Sequence, residues 1–154
     1  MTKRKSAGFT LIEIMVVVVV LAIIAAIAIP SYQAQVRRAN ANQAEQTLLN
    51  LAAQLERHKA RNFSYRGFTT TNDVLPAGAA ASNIRYNVGV ASADNGNPLL
   101  TANAATGRNW AIRALSTDPR NFSYLIRSDG TRCRSLTTAN VTFANCGTTG
   151  SEIW

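Results

Sequence analysis

The stretch Phe9 to Ile29, FTLIEIMVVVVVLAIIAAIAI, decides how the rest of the chain is read. Its 21 residues hold one charge, Glu13, five residues into the run. As a helix it would reach about 31 Å, close to the thickness of bilayer hydrocarbon. Lys3, Arg4 and Lys5 lie just upstream, and Pro30 closes the block. The three cations would keep that end in the cytoplasm, with the remainder on the far side of the membrane. The run is too long for a signal-peptide core of about 7–15 residues, and Pro30-Ser31-Tyr32 follows it in place of an Ala-x-Ala site. A cut before the block, between Gly8 and Phe9, fits better. A carboxylate inside such a segment costs roughly 2.5–3.5 kcal/mol, so Glu13 points to function and needs a partner.

Gly8-Phe9-Thr10-Leu11-Ile12-Glu13 after a short basic leader resembles the processing motif of type IV prepilins. The resemblance covers residues 1 to about 61. It implies a pilin fold, cleavage by prepilin peptidase after Gly8, and N-methylation of the new amino terminus at Phe9. It also implies that Glu13 pairs with the Phe9 amine of a neighbouring subunit during assembly. The pairing is chemically sensible, since each charge in an oily layer strongly favours meeting the other. It would set the axial register between subunits, as a lone buried polar residue does in a coiled coil. Thr10-x-x-Glu13 also fits a capping box, a purely local use of the same carboxylate. Many pilins have a glycine mid-helix where this chain has Ala22.

The helix is expected to continue past Pro30. Ser31 to Arg61 contains no Gly or Pro, and Ala44, Leu48, Leu51, Leu55 and His58 recur at helical spacing, widened by Ala41 and Ala52. The expected organisation is a cleaved leader (1–8), a membrane and assembly half-helix (9–29), an amphipathic half (30–61), a loop (62–83) with a short helical turn around Thr71–Leu75, and a sheet region (84–154). In that last region Ile84, Tyr86, Val88 and Val90 alternate, as do Trp110, Ile112 and Ala114, and Phe122, Tyr124 and Ile126. A short strand is expected at Val141 to Ala144. The fold class is α+β: one long helix on an antiparallel sheet of about four strands.

Asp129-Gly130 reads as a two-residue type I′ hairpin. That register would pair Ser128 with Thr131, Arg127 with Arg132 and Ile126 with Cys133. Cys133 would face the helix, and Arg127, Arg132 and Arg134 would share one outward strip. Such a strip would suit an anion, DNA above all; a solvated face or a contact to an acidic neighbour would use the same residues. Cys133 and Cys146 are expected to form a disulfide in an oxidising compartment.

The chain has 154 residues and a net charge of +8; without the leader it keeps thirteen Lys and Arg against eight acids, or +5. It has no GxxxxGK[ST], HExxH or CxxC pattern, and its single histidine, His58, sits on the helical stripe with no nucleophile elbow beside it. Catalysis, metals and cofactors are therefore not expected. The reading is a structural subunit of a type IV pilus, most like minor pilins of the PilE type, serving twitching motility, adhesion or DNA uptake. Its expected partners are other pilin subunits, prepilin peptidase, the inner-membrane assembly platform, lipid before assembly, and DNA. It would cross the inner membrane once and become extracellular in the pilus. The alternatives are a DNA-receptor pilin using the arginine strip, a pseudopilin of a type II secretion system, and a plain membrane-anchored domain.

Overall fold

The computed structural model of the chain describes residues 9–70 and 73–154. The leader, with Gly8, lies outside them, as do Thr71 and Asn72 of the expected helical turn. The chain divides into two compact units, Met1–Arg38 and Ala39–Trp154. One helix, α1 (Leu11–Asn62), begins in the first and ends in the second, with Pro30 inside it. In the first unit every residue from Phe9 to Gln33 is exposed. This segment is long and apolar enough to cross a membrane. A helix apolar on all sides is stable only where something other than water surrounds it.

In the second unit α1 buries Ala44, Leu48, Leu51 and Leu55, the stripe set by the spacing of four, three and four. His58, at its far end, is only half-buried. The stripe packs on Tyr86, Val88, Trp110, Ile112, Ala114, Tyr124 and Ile126, which are the inward residues of alternating strands. The strands are β1 (Val74–Leu75), β2 (Tyr86–Ser92), β3 (Trp110–Ser116), β4 (Ser123–Arg127), β5 (Arg132–Ser135) and β6 (Ser151–Glu152). They form one antiparallel sheet in the order β1-β2-β3-β4-β5-β6.

The sheet therefore has six strands among the described residues, where about four were expected. Val74–Leu75 extends and pairs with β2 in place of a helical turn. Val141 to Ala144 is not a strand. The Thr142 backbone and hydroxyl both bond the Asn145 carbonyl, at 2.9 and 3.0 Å, and this local closure outcompetes pairing. The last strand forms instead at Ser151–Glu152, against β5.

The second face of the sheet is covered too. Ala111, Leu125, Val141 and Cys146 make a separate buried cluster, with Phe143 and Cys133 packed against it. The unit is thus three layers: helix, sheet and a C-terminal loop. The disulfide Cys133–Cys146 ties that loop to β5, with the two Cα atoms 6.0 Å apart.

This third layer decides the β4–β5 register. Leu125 pairs with Cys133, Ile126 with Arg132 and Tyr124 with Arg134. The expected register is off by one residue. The turn has three residues: Gly130 bonds back to the Arg127 carbonyl at 3.1 Å, and the Arg127 N–H reaches the Thr131 carbonyl at 3.0 Å. Gly130 takes φ 88°, the left-handed position this loop requires. A one-residue slip turns every side chain of a strand to the other face. Cys133 accordingly faces the C-terminal loop, not the helix, and the three arginines do not form a strip.

Candidate assembly and nucleic-acid interfaces

At the start of α1 the Thr10 hydroxyl accepts the Glu13 backbone N–H at 3.3 Å, and the Thr10 carbonyl accepts the Ile14 N–H at 3.3 Å. Thr10 is thus the N-cap, as Thr10-x-x-Glu13 suggested. The cap uses the Glu13 amide and leaves its carboxylate free. Among the described residues no cation meets that carboxylate, and its neighbours Ile12, Ile14 and Met15 are exposed hydrocarbon. Phe9 is 79% exposed. Gly8, the other side of the expected cleavage bond, lies outside the described residues.

The arginines of the β4–β5 hairpin are separated. Arg127 turns to the C-terminal loop, donating to the Ala144 carbonyl at 3.1 Å and pairing with Asp129 at 3.4 Å. Burial works to raise the Asp129 carboxyl, but the Thr131 hydroxyl and amide, with Arg127 beside them, hold it below the usual carboxylate range. Arg132 and Arg134 lie on the opposite face. Arg134 gives two hydrogen bonds to Glu152, at 2.8 and 3.1 Å, and its guanidinium stands 4.4 Å from the Phe122 ring. Arg132 lies 5.7 Å from the Trp154 ring. Two of the three cations already have a carboxylate.

A different cationic site forms where α1 ends. Gln54, Arg57, His58, Arg61, Asn62 and Phe68 line an open cleft of about 320 Å³. The His58 ring meets Phe68 edge-on at 5.6 Å, and its Nε2 lies 3.1 Å from the Arg66 carbonyl. Arg57 donates to the Ala53 carbonyl of its own helix, and Arg66 to the Asn103 side chain at 3.0 Å. Cations suit a helix C-terminus, and Lys59 and Arg61 occupy its last turn. Arg57 and Arg61 are nonetheless like charges one turn apart, an arrangement that costs stability unless an anion joins them. The nearest acid in sequence, Glu56, accepts from the Tyr65 hydroxyl at 2.8 Å and the Trp110 indole at 3.1 Å.

Sequence reading passed over Arg57, Arg61, Arg66 and Phe68. The available signal was the i, i+4 pair Arg57 and Arg61, followed by Arg66 with no further acid before Asp73. Among the described residues, no group of three or more His, Cys, Asp or Glu is placed to hold a metal ion.

Residues 3–29 match the prokaryotic N-terminal methylation motif. Residues 30–113 match the family described as type IV minor pilin ComP, DNA uptake sequence receptor. The chain is 30% identical over 157 aligned residues to the fimbrial protein EcpC of Eikenella corrodens, covering 92% of this chain and 99% of that protein. It is 43% identical over 65 residues to the type II secretion system core protein G of Pseudomonas aeruginosa, covering 42% of this chain and 46% of the relative's length. The core protein G of Escherichia coli is 28% identical over 126 residues, 82% of this chain and 74% of that protein. No solved structure matches. A methylation motif on one apolar helix fits a chain that crosses the inner membrane once and is later extracellular in the pilus. Such subunits assemble with other pilins, and pilin membership points to a structural role in place of catalysis. By motif, domain match and full-length relative together, the chain belongs to the type IV minor pilins of the ComP, DNA uptake sequence receptor family.

Proposed function

We propose that this chain is a pilus subunit whose apolar half-helix builds the polymer and whose globular unit retains DNA at the cationic end of α1. Prepilin peptidase would cut between Gly8 and Phe9 and methylate Phe9. Glu13 would then accept the Phe9 amine of the adjacent subunit. The segment 9–29 leaves lipid and is reburied among copies of itself, handled by the inner-membrane platform. Apolar burial is similar in the two states, so the ion pair sets the register.

The observation that carries the DNA reading is the open cleft lined by Arg57 and Arg61, with Arg66 on the loop that follows, its carbonyl 3.1 Å from the His58 ring of that lining, and with Glu56 already engaged elsewhere. These cations replace the Arg127, Arg132 and Arg134 strip as the candidate phosphate contacts. The test uses the full-length protein in detergent, with DNA retention measured at two or more salt concentrations. Replacing Arg57, Arg61 and Arg66 by Gln should weaken retention and flatten the dependence of log K on log salt by about 2–3. The same replacement of Arg127, Arg132 and Arg134 should change that slope less. Equal retention by all three proteins would end the proposal.

A second reading, a pseudopilin of a type II secretion system, draws on the likeness to the core G proteins. Failure of the unmodified protein to retain any DNA would favour it.

A further inference from the structure

Phe63 is the residue of the globular unit that local physics accounts for least. It is 91% exposed, and its backbone is left-handed at φ 55°. It takes the first position past α1, where its N–H closes on the Lys59 carbonyl at 2.7 Å. That position belongs to glycine, because a side chain there crowds its own backbone. A bulky aromatic both strained and exposed points to a use outside the fold.

The loop that carries Phe63 is held firmly. The Tyr65 N–H and the Ser64 hydroxyl both bond the Gly107 carbonyl, at 2.9 and 3.3 Å, and the Gly67 N–H bonds the Leu100 carbonyl at 2.9 Å. Gly107 has to lack a side chain: a Cβ there would run into the Ser64 hydroxyl and come within 2.9 Å of Arg66. The Phe63 ring is therefore presented on a fixed support. Within residues 57–66 stand Arg57, Lys59, Arg61 and Arg66, and no acid.

Resting on the DNA-retention reading above, we propose that Phe63 is a stacking platform for an unpaired DNA base, on a strand whose phosphates Arg57, Arg61 and Arg66 hold. An aromatic face stacks on any base, so it adds affinity without demanding a sequence. Inserting the ring into an intact duplex would cost more in unstacking than one such contact returns. The preferred ligand is therefore single-stranded or locally opened DNA.

The test measures full-length protein in detergent against a fluorescent single strand and the duplex of the same sequence. Phe63→Gly should keep or raise the thermal midpoint, since glycine suits the left-handed backbone. It should weaken single-strand binding roughly tenfold, with the salt slope unchanged because no charge is removed. Duplex affinity should move by less than about twofold. Phe63→Asn, which also tolerates this backbone, should behave like Phe63→Gly, and Phe63→Trp should bind as the unmodified protein does. Unchanged single-strand affinity in Phe63→Gly overturns the assignment. So does an equal loss on both DNAs, or a loss of entry into filaments with DNA binding intact, which would make Phe63 a subunit contact. If the unmodified protein binds neither DNA, the retention reading itself falls.

Discussion

The indole N–H of Trp110 reaches the Glu56 carboxylate at 3.1 Å, across the seam between α1 and the third strand. The Tyr65 hydroxyl donates to the same oxygen at 2.8 Å. Trp110 and Tyr65 are buried, and their rings meet edge-on at 6.5 Å. One carboxylate oxygen therefore satisfies two buried donors and pins the loop after α1 to the sheet. Glu56→Ala leaves both donors without that acceptor and should cost about 1–3 kcal/mol. Glu56→Gln retains a carbonyl oxygen and should cost less. Thermal unfolding of the three proteins checks the order; equal midpoints would show that water replaces the carboxylate without penalty.

The Cys133–Cys146 bond spans 13 positions and closes the C-terminal loop over Leu125, Ala111 and Val141. Replacing both cysteines by serine should lower stability by about 3 kcal/mol, chiefly by freeing the unfolded chain. The midpoint of chemical unfolding reads this directly. A negligible change would mean that packing of Val141 and Phe143 alone holds the loop.

Burial pushes the Tyr86 phenol up to about 12; the Ser116 hydrogen bond opposes this and the nearby Glu45 carboxylate adds to it. Tyr124 is raised as well, by burial first and then by Glu45. A phenol raised on folding binds its proton more tightly in the folded chain than in the unfolded one. Its contribution is complete below about pH 10, where the unfolded group titrates, and is lost as pH rises toward about 12. Stability should therefore fall between those values. Tyr86→Phe should be less stable at neutral pH, having lost the bond to the Phe122 carbonyl at 3.0 Å, yet fall less steeply in alkali. Denaturant titrations at pH 9, 10, 11 and 12 measure both effects. Parallel curves for the two proteins would remove Tyr86 as the cause.

Glu13 lies in an apolar segment with its carboxylate uncommitted to the Thr10 cap. If the Phe9 amine of a neighbour neutralises it, Glu13→Ala should lose its leader at the normal rate but enter filaments at least about tenfold less. The measurement is the amount of subunit in sheared pili against the amount of mature protein in membranes. Normal entry of Glu13→Ala would exclude the pairing as the assembly determinant.

Much of the fold was legible because periodicity survives without tertiary information. The stripe Ala44, Leu48, Leu51, Leu55 is buried as its spacing requires, and the inward residues of β2, β3 and β4 follow from alternation. The β5 register was not legible. Asp129-Gly130 serves a two-residue turn and a three-residue turn with Gly130 left-handed equally well. Leu125 breaks the tie. It needed a second apolar layer, which residues 136–146 supply from the far side of the hairpin. The cationic cleft was hidden for a similar reason: Arg57 and Arg61 lie on the helix, while Phe68 arrives by a loop fixed through Gly107 and Leu100.

What the amino-acid order determined unaided is local and one-dimensional: an apolar span with one carboxylate, a helix carried through Pro30, and strands whose faces alternate. Each follows from which residues repeat at which interval. Which way β5 faces, and which arginines share a surface, depended on contacts between segments far apart in the chain. A one-residue slip conserves every local preference while exchanging the two faces of a strand, so only burial against both covering layers could select between them.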